Sequence, residues 1–197
     1  MKKRDLEMAL EKVPPFKEPD PSLEQYQTPS SIATDILFEA YSRGDVQGMK
    51  VIDLGCGTGI FSVGSSMLGA SEVIGFDVSK SAIDVANTFI RGRSLSIEYR
   101  NMDVKDVEEQ GDTVFMNPPF GCQTRRADRM FLDKSMEISD CIYSLHMSNT
   151  LEFVTRYVEK KGRTIDFTKS YKYIIPHTFS FHKKEKQSIE IVLINIR

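Results

Sequence analysis

A doubly wound α/β fold, with a seven-stranded, mostly parallel sheet and an antiparallel hairpin at its C-terminal edge, is what this sequence predicts. Three observations carry the prediction. From Met49 onward, short apolar runs alternate with helix-like stretches of about ten residues, the pattern of strands joined by crossover helices. Successive runs end on Asp53, Asp77, Asp103 and Asn117, so polar residues collect where such sheets bind ligands. The last two apolar runs follow one another with no helix between them and should therefore pair antiparallel.

The elements follow in order. Residues 2–13 form a helix with Leu6, Ala9, Leu10 and Val13 on one face, which must end before Pro14-Pro15. "PPFKEPDP" is an extended connector. A second helix starts at Pro29 or Ser30, with Thr28 as its cap, and runs through Ile32, Ile36, Leu37 and Ala40 to Arg43-Gly44. "KVIDLG", "EVIGFDVS", "LSIEYRNMD", "DTVFMN" and "CIYSLH" are five strands. Helices at "GIFSVGSSMLGA", "SAIDVANTFIRG", "RMFLDKSMEIS" and "LEFVTRYVEKKG" lie between or after them. "RTIDFTKSYKYIIP" and "QSIEIVLINI" make the closing hairpin, joined by "HTFSFHKKEK".

Composition narrows the function classes. The length suits one domain spanning residues 1–197, and no apolar run approaches the roughly 20 residues of a membrane span. The charged N-terminus lacks a signal-peptide core, so a cytoplasmic location is expected. Cys56, Cys122 and Cys141 form no CxxC pair, and His146, His177 and His182 are not spaced as ligands, so free thiols and no metal are expected. His146 reads as a hydrogen-bonded structural residue. Net charge is −2, but residues 156–197 carry ten Lys/Arg against four Asp/Glu, which makes the C-terminal region the basic pole.

Two motifs carry the chemistry. "DLGCGTG", Asp53 to Gly59, joins the first strand to a helix, where glycines allow a tight turn and close approach of backbone to a ligand. A dinucleotide fingerprint on Gly55 and Gly57 would need glycine where Ile60 stands, which disfavours a nicotinamide enzyme. Carboxylates at the next strand ends can accept hydrogen bonds, Asp77 from ribose hydroxyls and Asp103 from an adenine amine. "NPPF", Asn117 to Phe120, stands at the fourth strand end, beside the first strand. Its prolines stiffen the backbone, so the Asn117 side-chain oxygen and the Pro118 carbonyl can both accept from an exocyclic amine. Two fixed acceptors would stabilise the positive charge that develops as the amine attacks an alkyl donor, and Phe120 would stack on the base.

This arrangement resembles the class I methyltransferase fold that binds S-adenosylmethionine, and NPPF resembles the [DN]-P-P-[YFW] signature of the amino-methyltransferases. With "LEQYQTP", "GFDV", "MNPPFG", "YSLH" and "FHKK" in order from Leu23 to the C-terminus, the chain resembles methyltransferase-like protein 5 and its archaeal relatives. The resemblance implies transfer of methyl to N6 of one adenosine in small-subunit ribosomal RNA, and in eukaryotes a small zinc-containing activator protein. It implies that residues 1–48 form a helical segment covering the cofactor, to which Gln25, Tyr26 and Thr28 contribute. Asp53, Gly55, Gly57, Thr58, Ile60, Asp77, Asp103 and Val104 would complete the cofactor site. Asn117, Pro118, Pro119 and Phe120 would bind and activate the adenine, and Phe179, Phe181, His182, Lys183 and Lys184 would hold RNA. Met147, Phe179 and Ser180 depart from the lysine, tyrosine and lysine of human-like members, which removes phosphate contacts. Methylation of DNA adenine or protein glutamine, or a silent cofactor-binding subunit, are the alternative readings.

Overall fold

The computed structural model describes residues 1–17, 19–20, 23–120, 127–176 and 186–197. Helices α1 (Lys3–Leu10) and α2 (Ser30–Ser42) precede the alternating region β1 (Lys50–Leu54), α3 (Ile60–Met67), β2 (Glu72–Asp77), α4 (Lys80–Ile90), β3 (Glu98–Asn101) and β4 (Thr113–Met116). Then come α5 (Ala127–Ile138), β5 (Ile142–Met147), α6 (Leu151–Lys160), β6 (Ile165–Pro176) and β7 (Lys186–Ile196). The seven strands form one sheet in the order β3-β2-β1-β4-β5-β7-β6, as expected for a doubly wound fold. The first five strands are parallel, and β7 runs antiparallel to both β5 and β6, between which it is inserted.

Alternation of side chains along each central strand feeds two cores. Val51, Val73, Phe115, Tyr143 and Leu193 point to the face covered by α1, α2 and α3. Ile52, Ile74, Met116, Ile142 and Ile194 point to the face covered by α5 and α6. Both faces are covered, which is why these strands read as continuous apolar runs. A row of rings, Phe61–Phe115–Tyr143–Phe167, crosses the first face with centroid spacings of 5.6, 5.2 and 6.2 Å. Asp35 of α2 accepts from Lys3 of α1 and from Lys169 and Tyr171 of β6, which ties the N-terminal helices to the far edge of the sheet. Burial opposes its ionisation, yet these partners hold its carboxyl down at about 2.

Two local expectations change. The third strand was expected over "LSIEYRNMD" but pairs only from Glu98 to Asn101. Asp103 lies beyond it, where it accepts from the Lys105 amide and caps a short 3-10 turn. Thr28 does not cap α2: no side chain caps that helix, and the Thr28 hydroxyl accepts instead from Asn117 across the fold.

His146 is buried, with Nε2 2.7 Å from the Ser144 hydroxyl. Burial pushes its pKa from 6.5 down to about 4, so the folded state resists protonation. Stability is therefore full above the unfolded value and falls as pH drops from about 6.5 toward 4, by up to about 3 kcal/mol. In His146→Gln this part of the acid limb should flatten, as read from urea midpoints at pH 7 and 4.5.

Candidate functional site

The site grows from the ends of β1 and β4, which are neighbours in the sheet. Beyond β1 the chain turns through the glycine loop into α3. The Gly55 and Cys56 amides both donate to the Phe76 carbonyl, at 2.8 and 2.9 Å, and the Gly57 amide donates to Asp77 Oδ2 at 2.8 Å. These bonds anchor the loop to the end of β2. Gly57 and Gly59 have φ of +54° and +93°, and neither has room for a side chain. A Cβ at Gly57 would stand 2.7 Å from the Phe16 ring, and one at Gly59 only 2.1 Å from the Tyr99 hydroxyl.

Beneath the loop, Asp53 Oδ2 accepts from the Ser62 amide at 2.9 Å and from its hydroxyl at 2.5 Å. Burial pushes its carboxyl up to about 7, Ser62 opposes the shift, and neighbouring Asp77 adds to it. Asp53 lines neither the cleft of about 270 Å³ nor the smaller recess described below. Its hydrogen bonds serve the loop-to-helix turn.

A cleft of about 270 Å³ opens along the strand ends, walled by Gln25, Tyr26, Gly55, Asp77, Asp103 and Val104. Phe76, Met102 and Phe131 make its apolar surfaces, and Asn117 and Pro119 border it beyond the end of β4. A smaller recess of about 40 Å³, bordered by Thr28, Gly57, Thr58 and Ile60, shares Phe16, Tyr26, Gly55 and Asn117 with it. An apolar slot with carboxylates at its edge suits a nucleoside, whose base avoids water and whose ribose donates hydrogen bonds. Asp77 already accepts from the Gly57 and Ser79 amides, and burial raises its carboxyl above the usual range.

At the tip of β4 the four motif residues separate in role. Asn117 donates through Nδ2 to the Thr28 hydroxyl at 3.0 Å, whereas its Oδ1 is buried and has no hydrogen-bond partner. A buried acceptor left unpaired costs about 1–3 kcal/mol, so a donor brought to it is bound favourably. Pro118 is buried, and Pro119 faces the cleft. Phe120 is half-buried against the first core, and its amide donates to Glu24 Oε2 at 2.7 Å.

The structure thus gathers Gln25, Tyr26, Thr28, Gly55, Gly57, Thr58, Ile60, Asp77, Asp103, Val104 and Asn117 around one cleft. Phe179, Phe181, His182, Lys183 and Lys184 lie outside the described residues, as do Cys122, His177 and His182. No cluster of His, Cys, Asp or Glu able to hold a metal occurs among the described residues, and Cys56 and Cys141 are buried free thiols. Sequence reasoning missed Phe16, Glu24 and Phe131. Phe16 was legible only as an aromatic residue inside a proline-rich connector, and Phe131 only as part of the apolar stripe of α5.

The ribosomal protein L11 methyltransferase (PrmA) family matches residues 30–117. The zebrafish (Danio rerio) rRNA N(6)-adenosine-methyltransferase METTL5 is 32% identical over 98% of this chain and 98% of its own. The crystal structure of PH1948 from Pyrococcus horikoshii superposes with a TM-score of 0.93 at 38% identity, covering 100% of this chain and 97% of that one. Magnesium protoporphyrin IX methyltransferase from Synechocystis, crystallised with bound S-adenosylmethionine, shares the fold with a TM-score of 0.66 at 16% identity, over 84% of this chain and 78% of that one.

Crowding and backbone conformation can be separated by two substitutions. Gly59→Ala should cost roughly 2–4 kcal/mol, from the left-handed backbone and the clash with Tyr99 together. Gly92→Ala, at φ +74° with nothing within 4 Å, should cost only about 1–2 kcal/mol. Chemical denaturation of the two variants measures the difference.

Proposed function

The chain belongs to the METTL5 family of rRNA N(6)-adenosine methyltransferases, and on that premise we propose that it methylates N6 of one adenosine in small-subunit ribosomal RNA. It is an S-adenosylmethionine-dependent methyltransferase. Residues 1–197 act as one catalytic unit, with residues 1–48 covering the cofactor. The buried, unpartnered Oδ1 of Asn117 at the end of a nucleoside-shaped cleft is the observation that carries the assignment.

When bound, S-adenosylmethionine supplies an electrophilic methyl group on a sulfonium. Asp77 would hold the ribose hydroxyls and Asp103 the adenine amine of the cofactor. The glycine loop with Thr58 and Ile60 would underlie its methionine end, and Gln25, Tyr26 and Thr28 would cover it. Asn117 Oδ1 would accept one N–H of the target amine and the Pro118 carbonyl the other. Held this way, the nitrogen is drawn toward pyramidal geometry and its lone pair turns to the methyl carbon. As the N–C bond forms the C–S bond breaks, the sulfonium becomes a thioether, and the methylated amine releases one proton to solvent. The two acceptors gain strength as charge develops on nitrogen, which lowers the barrier. No general base is needed, because the proton becomes acidic once the nitrogen is alkylated. The target base must be unpaired or flipped out, which costs a few kcal/mol.

Partners and location follow the same reading. Structured ribosomal RNA is the substrate, a small zinc-containing protein is the proposed activator, and the cytoplasm is the proposed site of action. No helix among the described residues is long and apolar enough to cross a membrane.

Labelled methyl transfer from S-adenosylmethionine to ribosomal RNA, protein and duplex DNA, with nucleoside analysis, tests the assignment. Label is expected in N6-methyladenosine of the small-subunit RNA, with or without the activator; label in protein glutamine or in DNA would overturn it. Asn117→Ala should lower kcat at least about 100-fold while cofactor affinity stays within a few-fold. Conversely, Asp77→Ala should weaken cofactor binding at least about tenfold, as measured by calorimetry, because it removes hydrogen bonds to a charged acceptor.

A further inference from the structure

The Asn117–Phe120 motif contains two consecutive prolines, and proline has no amide N–H. Between Asn117 and Phe120 the backbone therefore offers no donor by which the surrounding protein can hold it. Its register must be fixed from its two ends. Both ends are held by one short piece of chain about 90 residues away in sequence. At the first end the Asn117 Nδ2 donates to Thr28 Oγ1, and at the second the Phe120 amide donates to Glu24 Oε2 at 2.7 Å.

Glu24 is also conformationally unusual. Its φ is +50°, and it is the only non-glycine residue with a positive φ among the described residues. From this left-handed position its carboxylate reaches the Phe120 amide beyond β4, and the next residues, Gln25 and Tyr26, line the cleft. Gln25 Oε1 accepts from the Asp20 amide at 2.8 Å, and Gln27 Nε2 donates to the Val13 carbonyl at 3.2 Å, so the segment is tied to the connector that carries Phe16 over Gly57. Leu23, Glu24, Gln25, Tyr26 and Phe16 all line the same cleft. The chain that roofs the cleft is the chain that grips the motif.

We propose that Glu24 is a positioning residue for the catalytic motif: its carboxylate, by holding the Phe120 amide, fixes the far end of the motif and with it the alignment of Asn117. The proposal rests on the functional reading above only for its consequence, the rate of methyl transfer. A carboxylate accepting from an amide makes a stronger bond than a neutral acceptor. Glutamine at position 24 keeps an acceptor of nearly the same shape, whereas alanine removes it. Glycine removes the acceptor and also relaxes the left-handed backbone, which protects the test against a variant that fails to fold.

The experiment compares wild type with Glu24→Gln, Glu24→Ala and Glu24→Gly in two arms. In the first, amide NMR follows the Phe120 N–H and the Asn117 side-chain NH2. Loss of the Glu24 acceptor should move the Phe120 resonance upfield and speed its exchange in the alanine and glycine variants, with the glutamine variant intermediate. In the second, kcat and KM are measured with saturating S-adenosylmethionine and ribosomal RNA. Alanine and glycine should lower kcat about 10–100-fold, the scale set by misplacing reacting groups by about an ångström. Glutamine should recover most of that loss, and cofactor affinity should change by less than about fivefold. An unmoved Phe120 amide would overturn the proposal. So would an unchanged kcat, or a kcat loss in glutamine equal to that in alanine. If wild type itself transfers no methyl to RNA adenosine, the functional reading fails, and the NMR arm still decides whether Glu24 holds the motif.

Discussion

The parallel pairing of β1 with β4 is the constraint on which the rest depends. Leu54 lies beside Met116 in that pairing, so Gly55 and Asn117 leave the sheet side by side. The strand on the other side of β1, β2, ends at Asp77, one sheet position from the glycine loop. Because the strands point the same way, every loop that follows them emerges at one edge, and the order reverses between β1 and β4. The placement of the cleft beside the Asn117 end of β4 is therefore a product of connectivity. The side chains that line it only refine the chemistry.

Electrostatics at that edge are arranged around carboxylates that do different work. Burial raises the carboxyls of both Asp53 and Asp77, and the Asp77 charge adds to the shift at Asp53. Asp53 is committed to Ser62 inside the turn, while Asp77 keeps the amides of Gly57 and Ser79 and still borders the cleft. A cationic cofactor entering beside them offsets part of that repulsion, because a positive charge favours the ionised carboxylates. The cleft is thus acidic at the ends of β1 and β2. At its other end the cleft presents the unpartnered, neutral Asn117 Oδ1, which under the proposed function would not compete as a base for a proton that must stay in place until nitrogen has attacked.

Much of this was legible in the sequence because its signals are local. Strand-helix alternation, a glycine-rich turn after the first strand and acids at or just past the next two strand ends each occupy a few adjacent residues, and the alternation follows from backbone geometry. The closing hairpin was legible for the same reason, since two long apolar runs lacked a helix between them. What sequence reasoning missed depends on contacts spanning 89 and 96 residues, between Thr28 and Asn117 and between Glu24 and Phe120. Thr28 before Pro29 has the local form of a helix cap, and tertiary structure gave its hydroxyl another partner. The left-handed backbone of Glu24 has no side-chain signature at all, because the residue type ordinarily avoids it. The bonds Asp53 makes to Ser62 across the loop-to-helix turn were likewise not legible, because nothing in the glycine motif marks Ser62 as its partner.

The unpaired Oδ1 of Asn117 gives the site a built-in distinction between substrates. An acceptor buried without a donor destabilises the protein by an amount comparable to a lost hydrogen bond, and that cost is relieved only when a donor occupies the position. A ring nitrogen or carbonyl presented there would place acceptor against acceptor, whereas an amine presents N–H. Relief of this cost by a bound amine would by itself strengthen only ground-state binding and leave the rate unchanged. Rate comes from the further gain as the amine becomes cationic, when a neutral hydrogen bond becomes a charge-assisted one roughly twice as strong. Under the proposed function, the geometry of a single amide group both selects an amine and accelerates its alkylation, provided the amide does not rotate. Its nitrogen end is held by Thr28, and that hydrogen bond keeps the oxygen end facing the cleft.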